Sequence, residues 1–200
     1  MARVARTREE LTADLDQLDA SYQALLQNCT SEQLNWRPDM DSWSIAQCIQ
    51  HVARVNSVYL VPIKATITKA GAGSTLGQQV LSTSGWFSAY FLKSVSPEGK
   101  VKLPAPRVAR PVAEPSTINV QEALRTLQNT HQEIREVLTK PNQPDLNRIR
   151  FTNPFIPMLR FTVGTGVLIM AAHGRRHLLQ AQRICQLDAF PATQSIGRPA

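Results

Sequence analysis

The 200-residue chain is predicted to be all-α, a four-helix bundle with a long crossover connection between its second and third helices. Three observations favour this class. Four segments repeat apolar residues at steps of three and four, which is the period of a helix that buries one face. No segment of useful length alternates apolar and polar residues as a strand does, and no internal repeat is present. One long stretch between the helices is rich in proline. The economical arrangement is a single domain over residues 1–200 around one core.

The first predicted helix covers residues 7–28 and begins at a capping box, in which Thr7 is followed three residues later by Glu10. The spacing of its apolar residues indicates one buried face. This face comprises Leu11, Leu15, Leu18, Tyr22 and Leu25.

The second predicted helix covers residues 44–70, and Ser44 with Gln47 repeats the capping-box pattern at its start. Pro62 is expected to kink this helix or to end it early, because proline lacks the N–H group that the helix interior requires. The apolar face comprises Ile45, Cys48, Val52, Val55 and Tyr59.

The third and fourth predicted helices cover residues 119–140 and 162–187. Asn119 is the expected N-cap of the third, and Pro141 ends it. The apolar face of the third helix comprises Leu124, Leu127, His131, Ile134 and Leu138. That of the fourth comprises Val163, Val167, Met170, His173, His177, Ala181 and Ile184. Three of the four histidines of the chain therefore fall on the inward faces of these two helices.

The crossover connection spans residues 71–118. Residues 71–85 are typical of a loop, and residues 86–94 could form a short helix. Residues 96–116 contain too many prolines for regular structure.

Composition narrows the function classes. The first twenty residues hold no apolar block of the length that a signal peptide needs, and the longest weakly polar run, residues 162–172, is far shorter than a membrane span. The three cysteines, Cys29, Cys48 and Cys185, match no redox or zinc motif. We therefore expect buried thiols in a cytoplasmic protein that does not enter the membrane.

The net charge of +7 permits contact with nucleic acid only if the basic residues cluster. They cluster weakly, at the N-terminus and in the proline-rich loop, where no aromatic side chains are interleaved. The basic residues concerned are Arg3, Arg6, Arg8, Lys100, Lys102, Arg107 and Arg110. A nucleic-acid partner is therefore not expected, and the charges are interpreted as solvated.

The histidines carry the strongest chemical signal. His173 and His177 are four residues apart, so both face the same side of a helix at a spacing that permits them to share one ion. His51, at the edge of the apolar face of the second helix, could supply a third nitrogen. Three histidines leave an open fourth position, as in a catalytic zinc site. The alternative is that these are ordinary core histidines satisfied by hydrogen bonds.

His131 is interpreted as a hydrogen-bonded core histidine, with a role as a fourth ligand as the alternative. Trp43 and Trp86 are expected to pack, and Arg175 and Arg176 to be solvated, although one of these arginines could hold an anionic ligand. Tyr59 could place a phenol near the site.

Two segments together resemble a known family. "WSIAQCIQHVARVN" at residues 43–56 and "AAHGRRHLLQAQRI" at residues 171–184 are similar to the paired signature of the DinB-like superfamily, which includes YfiT-type metal-dependent hydrolases and thiol-dependent S-transferases. The resemblance implies a four-helix bundle and a divalent ion, often zinc or nickel. It also implies that the ligands match His51, His173 and His177.

One departure from the family pattern limits the mechanism. Many members have Glu after the first histidine of the last helix, whereas this chain has Gly174. Without that carboxylate, the zinc-protease mechanism lacks its general base. We therefore expect a metal-dependent enzyme that activates water or a low-molecular-weight thiol, as a hydrolase or an S-transferase acting on a small molecule. The alternative is a metal- or ligand-binding bundle without turnover, and the exposed helix faces are compatible with a homodimer.

Overall fold

The computed structural model describes residues 3–71, 80–100 and 104–192. Parts of the predicted crossover, including Lys102, lie outside the described residues. In chain order the elements are β1 (Ala5–Thr7), α1 (Arg8–Asn28), α2 (Ser31–Asn35), α3 (Ile45–Ala70), β2 (Val80–Ser82), α4 (Trp86–Val95), α5 (Val120–Thr139), β3 (Arg150–Thr152), β4 (Arg160–Thr162) and α6 (Val163–Cys185). Single 3-10 turns occupy Arg107–Ala109 and Pro115–Thr117.

The four long helices α1, α3, α5 and α6 correspond to the four predicted ones, and the all-α bundle is confirmed. Their starts depend on local hydrogen bonds. The Thr7 hydroxyl accepts from the Glu10 N–H at 3.0 Å, and the Glu10 carboxylate accepts from the Thr7 N–H at 2.8 Å. Ser44 and Gln47 make the same reciprocal pair at the start of α3. Each box satisfies N–H groups that a helix start would otherwise leave without partners.

Packing places α3 and α1 at opposite corners of the bundle, since each contacts both α5 and α6. The centre is filled by the apolar faces that the sequence predicts, including Leu15, Tyr22 and Ile45, all of which are fully buried. The helix α4, within the crossover, packs against α6. In the described part of the chain, no helix has the length and apolar character that crossing a membrane requires.

Three details differ from the expectations. Pro62 does not end α3 early, because the helix continues past it to Ala70. Four strands of three residues each form two antiparallel pairs, β1 with β2 and β3 with β4. Three residues are too few to show the apolar–polar alternation of a strand, so the sequence does not predict these strands. Phe151 and Phe161 face each other in the second pair, and both are buried.

The short helix α2 was also not predicted. It begins at a capping box formed by Thr30 and Gln33, the same local pattern that marks α1 and α3. A helix of five residues is too short to show apolar periodicity, so only this capping pattern could have revealed it.

Candidate metal centre

Three imidazoles meet where α3 packs against α6. His51 lies on α3, and His173 and His177 lie one turn apart on α6. One ring nitrogen from each lies within 4.8 Å of the other two. His51 and His177 are buried, whereas His173 keeps part of its surface exposed. The structure therefore brings together the three histidines that the sequence analysis selected.

Hydrogen bonds orient two of these rings. The Nδ1 of His51 lies 2.7 Å from the carbonyl oxygen of Ala109, which can only accept, so Nδ1 carries the proton. In the same way, the Nδ1 of His177 donates to the side-chain oxygen of Gln180 at 3.0 Å. In a neutral imidazole the other nitrogen then has a free lone pair. Both rings therefore present Nε2 as a ligand atom, in the manner of outer-shell partners around metal sites.

The proline-rich segment that contains Ala109 is attached to α3 by further hydrogen bonds. The side-chain amide of Gln47 donates to the Val112 carbonyl at 2.8 Å, and the Val112 N–H donates to the Gln50 side chain at 3.0 Å. Arg54 donates to the Arg110 carbonyl at 2.6 Å. Side chains on successive turns of α3 thus hold this irregular segment against the helix that carries His51.

The electrostatic surroundings keep the histidines uncharged. Burial lowers the pKa of all three, and the neighbouring imidazoles lower those of His173 and His177 further. The pKa of His177 falls to about 3. Among the described residues, the cluster holds three imidazoles and no carboxylate. At neutral pH the rings are therefore in the unprotonated form that a metal ligand requires.

The spacing of the two α6 histidines fits a shared divalent ion. The Nε2 atoms of His173 and His177 are 3.1 Å apart. Two nitrogens bound to one tetrahedral zinc at about 2.0 to 2.1 Å would lie roughly 3.3 Å apart. The Nδ1 of His173 is buried and has no hydrogen-bond partner. A set of three neutral nitrogens suits borderline ions such as zinc or nickel.

The sequence of this chain matches the DinB superfamily over residues 14–181. The chain belongs to the DinB superfamily. This match covers most of the sequence and includes all three histidines of the cluster. A comparison with curated proteins finds no match.

A solved structure similar to this DinB-superfamily chain is YfiT from Bacillus subtilis. YfiT is described as a probable metal-dependent hydrolase with an unusual four-helix bundle topology. The two chains share 14% sequence identity, and the TM-score is 0.57. The similar region covers 90% of this chain and 86% of YfiT. At this level of identity the likeness establishes the fold.

Trp43 forms one wall of the cluster. Its ring lies 4.7 Å from the ring of His51 and stacks on that of His177 at 5.6 Å. Trp43 packs, as predicted, but its ring packs on the histidines. The tryptophan that begins the "WSIAQ" segment is thus part of the site. Gln180 was not singled out, although its spacing of three residues from His177 within α6 could have indicated it.

His131 lies outside the cluster and is a core residue, as predicted. It is fully buried on α5, and its Nδ1 lies 2.6 Å from the Asp19 carboxylate. The phenol of Tyr59 accepts a hydrogen bond from the Asn153 side chain at 2.8 Å, and its ring packs on Phe151. The structure therefore assigns both side chains to packing around the core.

The expectations for three other side chains were wrong. Arg176 is not simply solvated, because it donates to the carbonyls of Ser94, Ser96 and Gly99 and so ties the end of α4 to α6. Arg175 pairs with Asp14 of α1. Trp86 does not pack into the core, since 72% of it is exposed.

Proposed function

We propose that His51, His173 and His177 hold one divalent ion, zinc or nickel, and that the protein is a metal-dependent hydrolase or thiol-dependent S-transferase for a small molecule. One observation carries this proposal. Three neutral imidazoles from two helices converge within 4.8 Å, and the Nδ1 atoms of two are committed to other partners. The name given to the similar YfiT structure supports the metal-dependent hydrolase reading.

A bound divalent ion would supply Lewis-acid chemistry, lowering the pKa of a water or a low-molecular-weight thiol so that it is nucleophilic at neutral pH. The surrounding protein residues would orient the imidazole rings and shield the ion from solvent. The Ala109 carbonyl and Gln180 fix the rings of His51 and His177, and the Trp43 ring excludes solvent from one side of the cluster. The exposed part of His173 marks the side from which a small molecule can approach.

Position 174 cannot supply a general base here. A Cβ on Gly174 would lie 3.3 Å from Leu18 of α1 and 4.0 Å from Val52 of α3. A side chain at this position would therefore point between α1 and α3 and not towards the imidazoles. The proton of the nucleophile has to pass to the substrate or to solvent, which favours thiols and activated substrates and disfavours peptide hydrolysis.

Since the described residues place no carboxylate in the cluster, a second candidate also has weight, a metal-binding protein without turnover.

For either function we infer a single domain over residues 1–200. Of the three thiols, Cys48 is buried as expected, whereas Cys29 and Cys185 are partly exposed. Three free cysteines are typical of a reducing compartment, and on that ground we infer a cytoplasmic location.

Turnover assays on wild type and His173→Ala distinguish the two functions. The assays use a p-nitrophenyl ester, and a chlorodinitrobenzene electrophile with glutathione or cysteine as the thiol. We expect metal-loaded wild type to accelerate one of these reactions, and His173→Ala or chelation to reduce the rate at least 100-fold. Leu179→Ala is the matched control, because Leu179 lies on the same helix but is exposed. Equal rates for wild type and His173→Ala would refute metal catalysis. A metal-loaded protein inactive across the panel would favour the binding function.

A further inference from the structure

A cavity lies where the start of α4 meets the chain before β1 and the chain that leads into β3. Its volume is about 460 Å³, which is within the range of small-molecule pockets. Thr162, which directly precedes α6, forms part of its wall, and His173 lies about three turns further along that helix. The cavity is therefore separate from the candidate metal centre.

The charged side chains that line this cavity are all arginines, namely Arg3, Arg148 and Arg150. Arg148 has an acidic partner, since its Nε lies 3.3 Å from the Asp145 carboxylate. Arg3 and Arg150 donate to backbone carbonyls at 3.0 and 3.1 Å, and neither forms an ion pair with a described residue. The sequence does not show this cluster, because Arg3 is far along the chain from the other two. The fold thus collects positive charge that an anionic ligand would balance.

Uncharged donors on the same wall also suit an anion. Thr83 is fully buried, its hydroxyl accepts from the Val4 N–H at 3.1 Å, and no described residue accepts its hydrogen. Gly85 precedes α4 and gives the first turn of this helix no side-chain cap. The space beside Gly85 is open, because a Cβ there would have no contact within 4 Å outside its chain neighbours. The N–H groups at the start of α4 can therefore donate to a ligand beside the arginines.

Trp86 gives the cavity an aromatic wall. It is 72% exposed, and its neighbour Phe87 is 40% exposed. The two rings meet edge to face with their centres 6.0 Å apart, so most of the indole remains open to a ligand. Proteins that bind nucleotides or single strands combine cationic side chains for the phosphate with an aromatic ring on which the base stacks. The arginines and Trp86 supply both parts.

The amide and serine side chains at this cavity are engaged within the protein. Asn147 accepts from the Ser82 N–H and donates to the Val80 carbonyl, both at 3.0 Å. The hydroxyls of Ser84 and Ser88 are bonded to each other at 2.9 Å. Recognition would therefore depend on the negative charge of the ligand and on the face of its ring, and we expect little preference among bases.

We propose that this cavity binds a nucleoside phosphate, with the phosphate at Arg3, Arg148 and Arg150 and the base stacked on Trp86. Three observations carry the proposal together, namely cations that no described carboxylate balances, an exposed aromatic ring beside them, and a cavity of suitable volume. The proposal goes beyond the function proposed for the histidine cluster, because the two sites share no residue.

Isothermal titration calorimetry on the full chain at low salt tests the binding. The probes are ADP, adenosine and inorganic phosphate. We expect one ADP per chain, and adenosine and phosphate each to bind about tenfold more weakly or worse, because each lacks one of the two kinds of contact. Added salt should weaken the binding of ADP, since the arginines are partly exposed to solvent. Equal affinities for ADP and adenosine would show that the arginines do not bind the phosphate, and the proposal would be wrong.

Two variants at exposed positions test the two halves of the site. Arg150→Gln should lower the affinity for ADP about tenfold or more, because the hydrogen bonds of a charged donor are lost. Trp86→Ala should lower it about fivefold or more through the loss of stacking. Arg125→Gln is the matched control for charge, since Arg125 is an exposed arginine of α5 outside the cavity, and it should keep wild-type affinity.

Circular dichroism confirms that each variant is folded. His177→Ala should bind ADP as wild type does, so failure at the metal centre would leave this result unchanged. The proposal is wrong if folded wild type does not bind ADP at millimolar concentration, or if Arg125→Gln loses as much affinity as Arg150→Gln. It is also wrong if a short oligothymidylate binds far more tightly than ADP, because the ligand would then be single-stranded nucleic acid.

Discussion

Two places in the bundle contain buried histidines, and their surroundings differ. His131 faces a carboxylate, since its Nδ1 lies 2.6 Å from Asp19, which also accepts from Arg135 at 2.6 Å. The cluster of His51, His173 and His177 includes no carboxylate from the described part of the chain, and its hydrogen-bond partners there are a backbone carbonyl and an amide side chain. A histidine with a charged partner is thus held for stability, whereas three neutral imidazoles with converging nitrogens are suited to bind a ligand.

The largest stability effect is expected at His131. His131→Ala removes a fully buried ring and its bond to Asp19, so we expect the free energy of unfolding to fall by about 3 kcal/mol. His173→Ala should cost less in the metal-free protein, because His173 is partly exposed and its Nδ1 makes no hydrogen bond. Urea denaturation of both metal-free variants measures the difference. A greater loss of unfolding free energy for His173→Ala than for His131→Ala would contradict the view that His131 stabilises the fold and His173 binds a ligand.

Acid should destabilise the metal-free protein through the cluster. The folded-state pKa of His177 is about 3, below the roughly 6.5 of an unfolded chain. Above pH 6.5 the ring is neutral in both states and has no effect. Below it the unfolded chain binds a proton that the folded chain cannot, so stability falls as pH falls. We expect His177 alone to contribute a loss of about 2 kcal/mol between pH 7.5 and 5.

The check is chemical denaturation at the two pH values in wild type and His177→Ala, both metal-free. Between pH 7.5 and 5, the free energy of unfolding of His177→Ala should fall by about 2 kcal/mol less than that of wild type. An equal loss in both proteins would show that the cluster does not determine the acid sensitivity.

A smaller effect is expected from the partner of His177. Gln180→Leu preserves the size of the side chain but removes the acceptor of the Nδ1 proton, so the ring is no longer held in one tautomer. Loss of such partners typically lowers metal affinity 10- to 100-fold. Competition with a zinc chelator measures the change. Gln182→Leu, at a neighbouring position of α6 that lines a cavity away from the three histidines, is the control and should keep wild-type affinity.

Local signals made most of the fold predictable. The capping boxes at Thr7 and Ser44 and the apolar faces lie within single helices, so the sequence alone contains them. The pair His173 and His177 was predictable for the same reason. His51 required more, namely the resemblance of two distant segments to one family. The strands of three residues carry no period and could not be recognised.

The features that were missed depend on contacts between distant segments. No local pattern indicates that the Ala109 carbonyl, in a proline-rich connection, accepts from His51, or that Arg176 donates to three carbonyls in and just after the last turn of α4. Such contacts follow from the packing of the proline-rich connection against α3 and of α4 against α6, and not from any single segment.

The most direct test of the account is the metal content of protein purified without a metal-affinity tag, measured by elemental analysis. We predict one divalent ion per chain in wild type and in His131→Ala, and none in His177→Ala. Wild-type metal content in His177→Ala, or loss of the ion in His131→Ala alone, would contradict the assignment of the cluster as the metal site.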